Sequence, residues 1–158
     1  MNILILCTGN SARSILLESL LGTMGAGRIS AFSAGSNPTG AVHPQSLVLL
    51  RQMGHDVSRA RSKSWSEFEQ KGAPVMDVVI TVCGSAANEV CPIWPGTPIR
   101  AHWGVEDPAA AKEPEWELAF RSAYDILHKR ALALLELPFE TMTRTDLSAH
   151  LNRIGTLA

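Results

Sequence analysis

The run Asn2-Ile3-Leu4-Ile5-Leu6, followed by Cys7-Thr8-Gly9-Asn10-Ser11-Ala12-Arg13-Ser14, decides the reading of this chain. A short, nearly continuous apolar run without alternation describes a strand buried on both faces, as in a parallel sheet. It stops at a turn-rich cluster. From Arg13 the pattern takes a helical period, with Leu16, Leu17, Leu20, Leu21 and Met24 on one side and Gly25 and Gly27 at the end. The loop is therefore a strand-to-helix junction. Gly9 and Asn10 tolerate positive φ. A tight loop of this kind can turn successive backbone N–H groups inward as an anion nest, and the helix behind it adds its positive N-terminal end. Arg13 supplies a planar fork that matches two oxygens of a tetrahedral oxyanion.

Cys7 is expected on the floor of that cradle. The same field stabilises its thiolate, so its pKa is expected below the free value of about 8.5. Ser14 can donate a hydrogen bond to the sulfur. An oxyanion held by Thr8, Gly9, Asn10, Ser11, Ala12, Arg13 and Ser14 would present its central atom in line with Cys7, which is nucleophilic catalysis by positioning and charge stabilisation. The bland alternative is a buried thiol at a strand end and a surface arginine. Cys-x5-Arg alone arises often by chance; the strand before it and the helix behind it make it informative.

Working outward, Arg28–Ala34 reads as a second strand, and His43–Met53 as a helix with Pro44 in its first turn and Gly54 just past its end. Ser62–Gln70 reads as a short helix, Asp77–Val82 as a third buried strand and Pro98–Trp103 as a weaker fourth. Pro114–Leu137 carries a long amphipathic pattern, and Thr145 is placed to cap a last short helix. Strands alternating with helices imply an α/β fold with a parallel sheet. The 158 residues contain no repeat or linker and are read as one domain, 1–158. With 46% hydrophobic residues, 18% charged and a net charge of −1, bulk attraction to nucleic acid or anionic lipid is not expected, so any anion site is local. No apolar run reaches the roughly 18 residues needed to span a membrane, and Met1–Leu6 is too short for a signal peptide; a cytoplasmic location is expected.

Three cysteines, Cys7, Cys83 and Cys91, are too few for a disulfide framework. Cys83 ends the third buried strand as Cys7 ends the first. Both are expected at the carboxyl edge of the sheet, where ligands bind. A disulfide between them requires Cα atoms within about 7 Å. Cys91 follows Cys83 by eight residues; on a regular helix they would be about 12 Å apart, so pairing them requires unwinding, which Gly84 and the small residues nearby make easy. From the residues alone, inert core thiols, zinc ligands with His102, or a redox pair all stay open, although the spacing fits no common zinc pattern. Asp107-Pro108 follows the fourth strand. It reads either as a turn or as an acid placed to protonate a departing oxygen. His43, His102 and the other histidines read as structural or solvent-exposed.

Taken together, CTGNSARS (7–14), VVITVC (78–83), CPIWPG (91–96) and HWGVEDPA (102–109) resemble the arsenate reductases that share the low-molecular-weight protein tyrosine phosphatase fold. The resemblance runs from Met1 to about Leu137. It implies a single α/β domain with a four-stranded parallel sheet and helices on both faces. It also implies a mechanism. Cys7 attacks arsenate held by the loop and Arg13, and Asp107 assists loss of water. Cys83 attacks Cys7, arsenite departs, and Cys91 then takes over the disulfide with Cys83. An external thioredoxin or glutaredoxin reduces that disulfide, so no bound cofactor and no metal are implied. Phosphate and sulfate are the expected analogues of arsenate, and a monomer suffices. The sequence departs from the family pattern in three places. Ala12 stands where many relatives have a further Cys. Ser66 is aligned with an acidic residue that, with positions matching Asn10, Glu18 and Ser33, binds potassium in some members. The 83–91 stretch is a residue longer than in some relatives. Two other functions compete: a phosphatase using Cys7, Arg13 and Asp107, disfavoured by Ala109, Ala110 and Ala111 where tyrosine phosphatases of this fold place aromatics, and a non-catalytic oxyanion-binding module.

Overall fold

The computed structural model describes residues 1–89, 92 and 94–158. At its centre is β1 (Asn2–Cys7), flanked by β2 (Ser30–Gly35) and β3 (Val78–Thr81), with β4 (Ile99–His102) beyond β3. All three pairings are parallel, so the four strands end on one edge. From β1 the chain goes first to one neighbour and later to the other. The end of β1 is therefore the switch point of the sheet, where parallel α/β sheets bind ligands.

The unbroken apolar run in β1 is explained by its two faces. Ile3, Ile5 and Cys7 enter the larger core cluster; Leu4 and Leu6 enter a smaller one with Phe68, Met76, Val79 and Trp94. The larger cluster takes apolar side chains from α1 (Arg13–Met24), α2 (Pro44–Gln52), α4 (Trp116–Leu135) and α5 (Arg144–Ile154). The opposite face is thinner. Its helical cover among the described residues is a 3-10 turn, Trp65–Phe68. The expected short helix at 62–70 shrinks to that turn, which Ser64 caps by accepting from the Ser66 N–H.

Element ends shift by a residue or two where side chains compete for the cap. His43 is the N-cap of α2 rather than its first residue, its Nδ1 accepting from the Gln45 N–H at 3.0 Å. The last helix is capped by Thr143, not Thr145, through the Asp146 N–H at 3.1 Å. A 3-10 turn, Glu113–Glu115, precedes α4, so the long amphipathic stretch becomes α-helical only at Trp116. The segment beyond Leu137 forms α5 and closes the sheet under β4. The buried Trp103 indole donates to the Leu151 carbonyl at 2.9 Å, and a Cβ at Gly155 would collide with the His102 carbonyl.

Candidate oxyanion site

The loop between β1 and α1 is shaped by bonds on its outside. The carbonyl of Thr8 accepts from the Asn37 N–H, that of Gly9 from Thr39 N–H and Ser62 Oγ, and that of Ser11 from His43 N–H and Ser46 Oγ, at 2.9–3.1 Å. With the carbonyls held outward, the amides face the other way. Among the described residues the N–H groups of Asn10, Ser11 and Ala12 meet no protein acceptor. Asn10 has φ 46, the one left-handed residue in the loop, as its side-chain chemistry allows. Its buried amide ties the turn together, donating to Ser14 Oγ at 2.9 Å and Ser33 Oγ at 3.0 Å and accepting from the Lys63 N–H at 2.9 Å. Gly35 has to be glycine: a Cβ there would collide with the Thr8 carbonyl and crowd the Cys7 carbonyl.

Helix α1 starts at Arg13 without a side-chain cap and without an acid in its first turn, so its positive end is left for an external anion. Arg13 donates Nη1–H to the Val105 carbonyl at 2.9 Å, and its Nη2 lies 3.5 Å from Asp107 Oδ2. Its buried Nε–H finds no protein acceptor among the described residues. Asp107 itself is at the rim, 43% exposed, and caps the 3-10 turn Pro108–Ala110 by accepting from the Ala109 N–H at 3.1 Å. Exposed amides, an uncapped helix end and a buried guanidinium donor together make a polar seat for a tetrahedral anion, rimmed by one carboxyl group.

Cys7 is buried at the end of β1, and Cys83 is buried just past β3. Leu6 pairs with Thr81, so the two cysteines leave adjacent strands side by side. The two thiols are near enough that each shifts the ionisation of the other. Cys83 Sγ also accepts from the Ala86 N–H at 3.3 Å, capping α3 (Gly84–Asn88), and lies 3.7 Å from Thr8 Oγ1. This corrects the expected pKa of Cys7. The neighbouring Cys83 thiol and burial push Cys7 up, outweighing Arg13 and the Gly9 N–H, which pull it down. Cys83 is drawn down to about 5, first by the neighbouring Cys7 thiol, then by the Ala86 N–H and Thr8 against the cost of burial. Neighbouring thiols titrate as a pair, with Cys83 the more readily ionised member. Ser14 is likewise engaged differently from expectation: its hydroxyl oxygen is held by Asn10. Cys91 lies outside the described residues.

Two parts of the site had little signal in the sequence. Lys63 is buried, and its ammonium lies 3.8 Å from Glu18 Oε2 and 3.4 Å from Ser33 Oγ, with the Arg61 carbonyl at 3.0 Å. Glu18 also accepts a hydrogen bond from Ser33. Burial pushes Glu18 up and Lys63 down, each partly offset by the other's charge. An ammonium therefore occupies the place considered for potassium. The fourth position is Lys63 and not Ser66, whose hydroxyl bonds Ser64. The second missed residue is Glu89, whose Oε1 accepts from Thr8 Oγ1 at 3.3 Å. Of the histidines, His43 packs against Trp116 and Phe120, and His102 bonds Thr81. Among the described residues no cluster of His, Cys, Asp or Glu is arranged to hold a metal ion, and no helix is long and apolar enough to cross a membrane.

A parallel sheet that presents a thiol beneath inward-facing amides defines a class: α/β proteins built to seat a tetrahedral oxyanion against a cysteine sulfur. The model of the family described as low molecular weight phosphotyrosine protein phosphatase matches residues 2–147, and the chain belongs to that family. The arsenate reductase of Halalkalibacterium halodurans is 35% identical over 134 residues, covering 83% of this chain and 92% of that protein. A solved structure titled an arsenate reductase in the phosphate binding state superposes with TM-score 0.65 at 27% identity, over 83% of this chain and 96% of the other. The Corynebacterium glutamicum thioredoxin-dependent arsenate reductase superposes with TM-score 0.63 at 24% identity, over 85% of this chain; the chain spans 60% of that protein's length.

Proposed function

We propose that this chain is an arsenate reductase that uses Cys7, Cys83 and Cys91 in turn. The observation that carries the reading is the pair of buried free thiols, Cys7 and Cys83, at neighbouring strand ends under the anion seat. A phosphatase needs the first thiol and forms no disulfide with a second. In this reading the amides of Asn10, Ser11 and Ala12, the end of α1 and Arg13 hold arsenate. Cys7 gives its proton to Cys83 as its sulfur attacks arsenic, and Asp107 protonates the departing oxygen, which leaves as water. Cys83, deprotonated again, attacks the Cys7 sulfur. An S–S bond forms and the S–As bond breaks with its electron pair left on arsenic, so As(V) becomes As(III) and arsenite departs. Cys91 attacks Cys83 and frees Cys7, and an external dithiol of the thioredoxin or glutaredoxin kind reduces the Cys83–Cys91 disulfide. Phosphate fits the same seat, so weak phosphoester hydrolysis through Cys7, Arg13 and Asp107 is the expected side activity. Ala109, Ala110 and Ala111 offer no aromatic grip for a phosphotyrosine ring.

The test is arsenate-dependent oxidation of a thioredoxin system by wild type, Cys83→Ser and Cys91→Ser. Both variants are expected to lose arsenate turnover, and Cys91→Ser, which leaves the first step untouched, is expected to keep phosphoester hydrolysis. Normal arsenate turnover in both would overturn the cascade; a glutaredoxin system in a parallel assay identifies the donor.

A further inference from the structure

We infer that Glu89 is the terminal proton acceptor for Cys83 in the second chemical step, acting through the Thr8 hydroxyl. The inference rests on the reductase reading and deepens it. Three groups stand in a row: Cys83 Sγ lies 3.7 Å from Thr8 Oγ1, and Thr8 Oγ1 lies 3.3 Å from Glu89 Oε1. The hydroxyl has one proton, and when it is given to the carboxylate the Thr8 oxygen is free to accept from a protonated Cys83. The other carboxylate oxygen, Oε2, is shut off from water and has no hydrogen-bond partner among the described residues. A carboxylate oxygen buried without a donor is a ready proton acceptor. Glu89 is fixed there by the end of α3, its N–H bonded to the Ser85 carbonyl.

The chemistry needs such a group. Cys83 receives the Cys7 proton in the first step. Once Cys7 is bonded to arsenic it has no thiol proton to share, and Cys83 loses the partner that most favoured its charge. It must shed a proton to become a nucleophile. Along the row, Cys83 passes its proton to Thr8 Oγ1 as the Thr8 hydroxyl proton passes to Glu89. The sulfur then attacks Cys7, the S–S bond forms, and the S–As bond breaks toward arsenic. The ionisable groups near Glu89 are Cys83 and, through it, Cys7; Arg100 and His102 of β4 line the same hollow. His102 is turned to Thr81.

The experiment follows formation of the Cys7–Cys83 disulfide in a single turnover with arsenate, using the full chain with Cys91→Ser to trap the product. Adding Glu89→Gln keeps an oxygen to accept from Thr8 but removes the base. Disulfide formation is expected to slow by about 100-fold, and the acid limb of its pH profile is expected to move up toward the ordinary thiol range. Phosphoester hydrolysis, in which water rather than Cys83 resolves the Cys7 adduct, is expected to slow far less. Glu89→Ala should recover part of the rate with added formate. A wild-type rate and pH profile in Glu89→Gln would overturn the assignment, as would equal slowing of both reactions, which marks a purely structural role. Cys83→Ser measured alongside separates the two levels: arsenate turnover without Cys83 sinks the reductase reading itself, whatever Glu89 does.

Discussion

Cys7 and Cys83 leave the adjacent strands β1 and β3 side by side, and the nearness of the two thiols pushes Cys7 up and draws Cys83 down to about 5. In Cys91→Ser, thiolate absorbance should therefore titrate with one midpoint near 5. Cys7→Ala removes the largest cause of that depression, so the Cys83 midpoint should climb toward the ordinary thiol value of 9.0. A midpoint that stays near 5 in Cys7→Ala would show that the neighbouring Cys7 thiol is not what lowers Cys83.

The Arg13 guanidinium leaves its Nε–H unpaired among the described residues at the anion seat and brings Nη2 within 3.5 Å of Asp107 Oδ2. Arg13→Lys keeps the charge but loses the two-pronged geometry. Its kcat/KM for arsenate is expected to fall by about 100-fold or more, in the range seen when an oriented anion donor is removed. Initial rates across arsenate concentrations decide this; an unchanged kcat/KM would remove Arg13 from the seat.

Gly35 lets the strand pass beneath the loop. In Gly35→Ala the new Cβ meets the Thr8 carbonyl, and neither backbone can yield without moving the cradle. A loss of about 1–3 kcal/mol is expected by urea unfolding, with weakened phosphate binding by calorimetry. Wild-type stability and affinity would mean that the loop tolerates displacement.

Lys63→Met leaves Glu18 facing Ser33 without its cation. Breaking a fully buried pair costs about 3–5 kcal/mol; Glu18 keeps 26% of its side chain exposed, so about 2 kcal/mol is expected here. The double variant Lys63→Met, Glu18→Gln should recover much of the loss, because no uncompensated charge remains. If the double variant is as unstable as the sum of the single ones, the pair is not coupled.

Glu140 pairs with Arg28 on the surface and is held down to about 2 from an ordinary 4.5, chiefly by that hydrogen bond. A depressed carboxyl contributes stability that is present above its unfolded value and lost as pH falls through its folded one. The Tm gap between wild type and Glu140→Gln should thus be full above pH 4.5 and close toward pH 2. Because both groups are exposed, the gap should be small and shrink with salt.

The parts of the molecule legible along the chain are those whose cause is local. The apolar run of β1, the period of α1 from Arg13 to Met24, and the Gly-Asn turn between them put the anion loop in place by neighbouring residues alone. The carboxyl-edge position of Asp107 followed from the same reasoning, although only the structure brought it to Arg13. Where capping decided an end, as at His43 and Thr143, one hydrogen bond outweighed the apolar pattern.

The sequence by itself determined a strand, a helix and a loop of inward amides, because strand alternation, helical period and turn chemistry are properties of residues a few positions apart. The strand order, which sets Cys83 beside Cys7, was decided by the tertiary structure, as were the ammonium of Lys63 behind Asn10 and the carboxylate of Glu89 behind Thr8. These contacts join residues up to 81 positions apart. They depend on which strands lie side by side in the core, and that order is fixed by packing between elements, which no local pattern records.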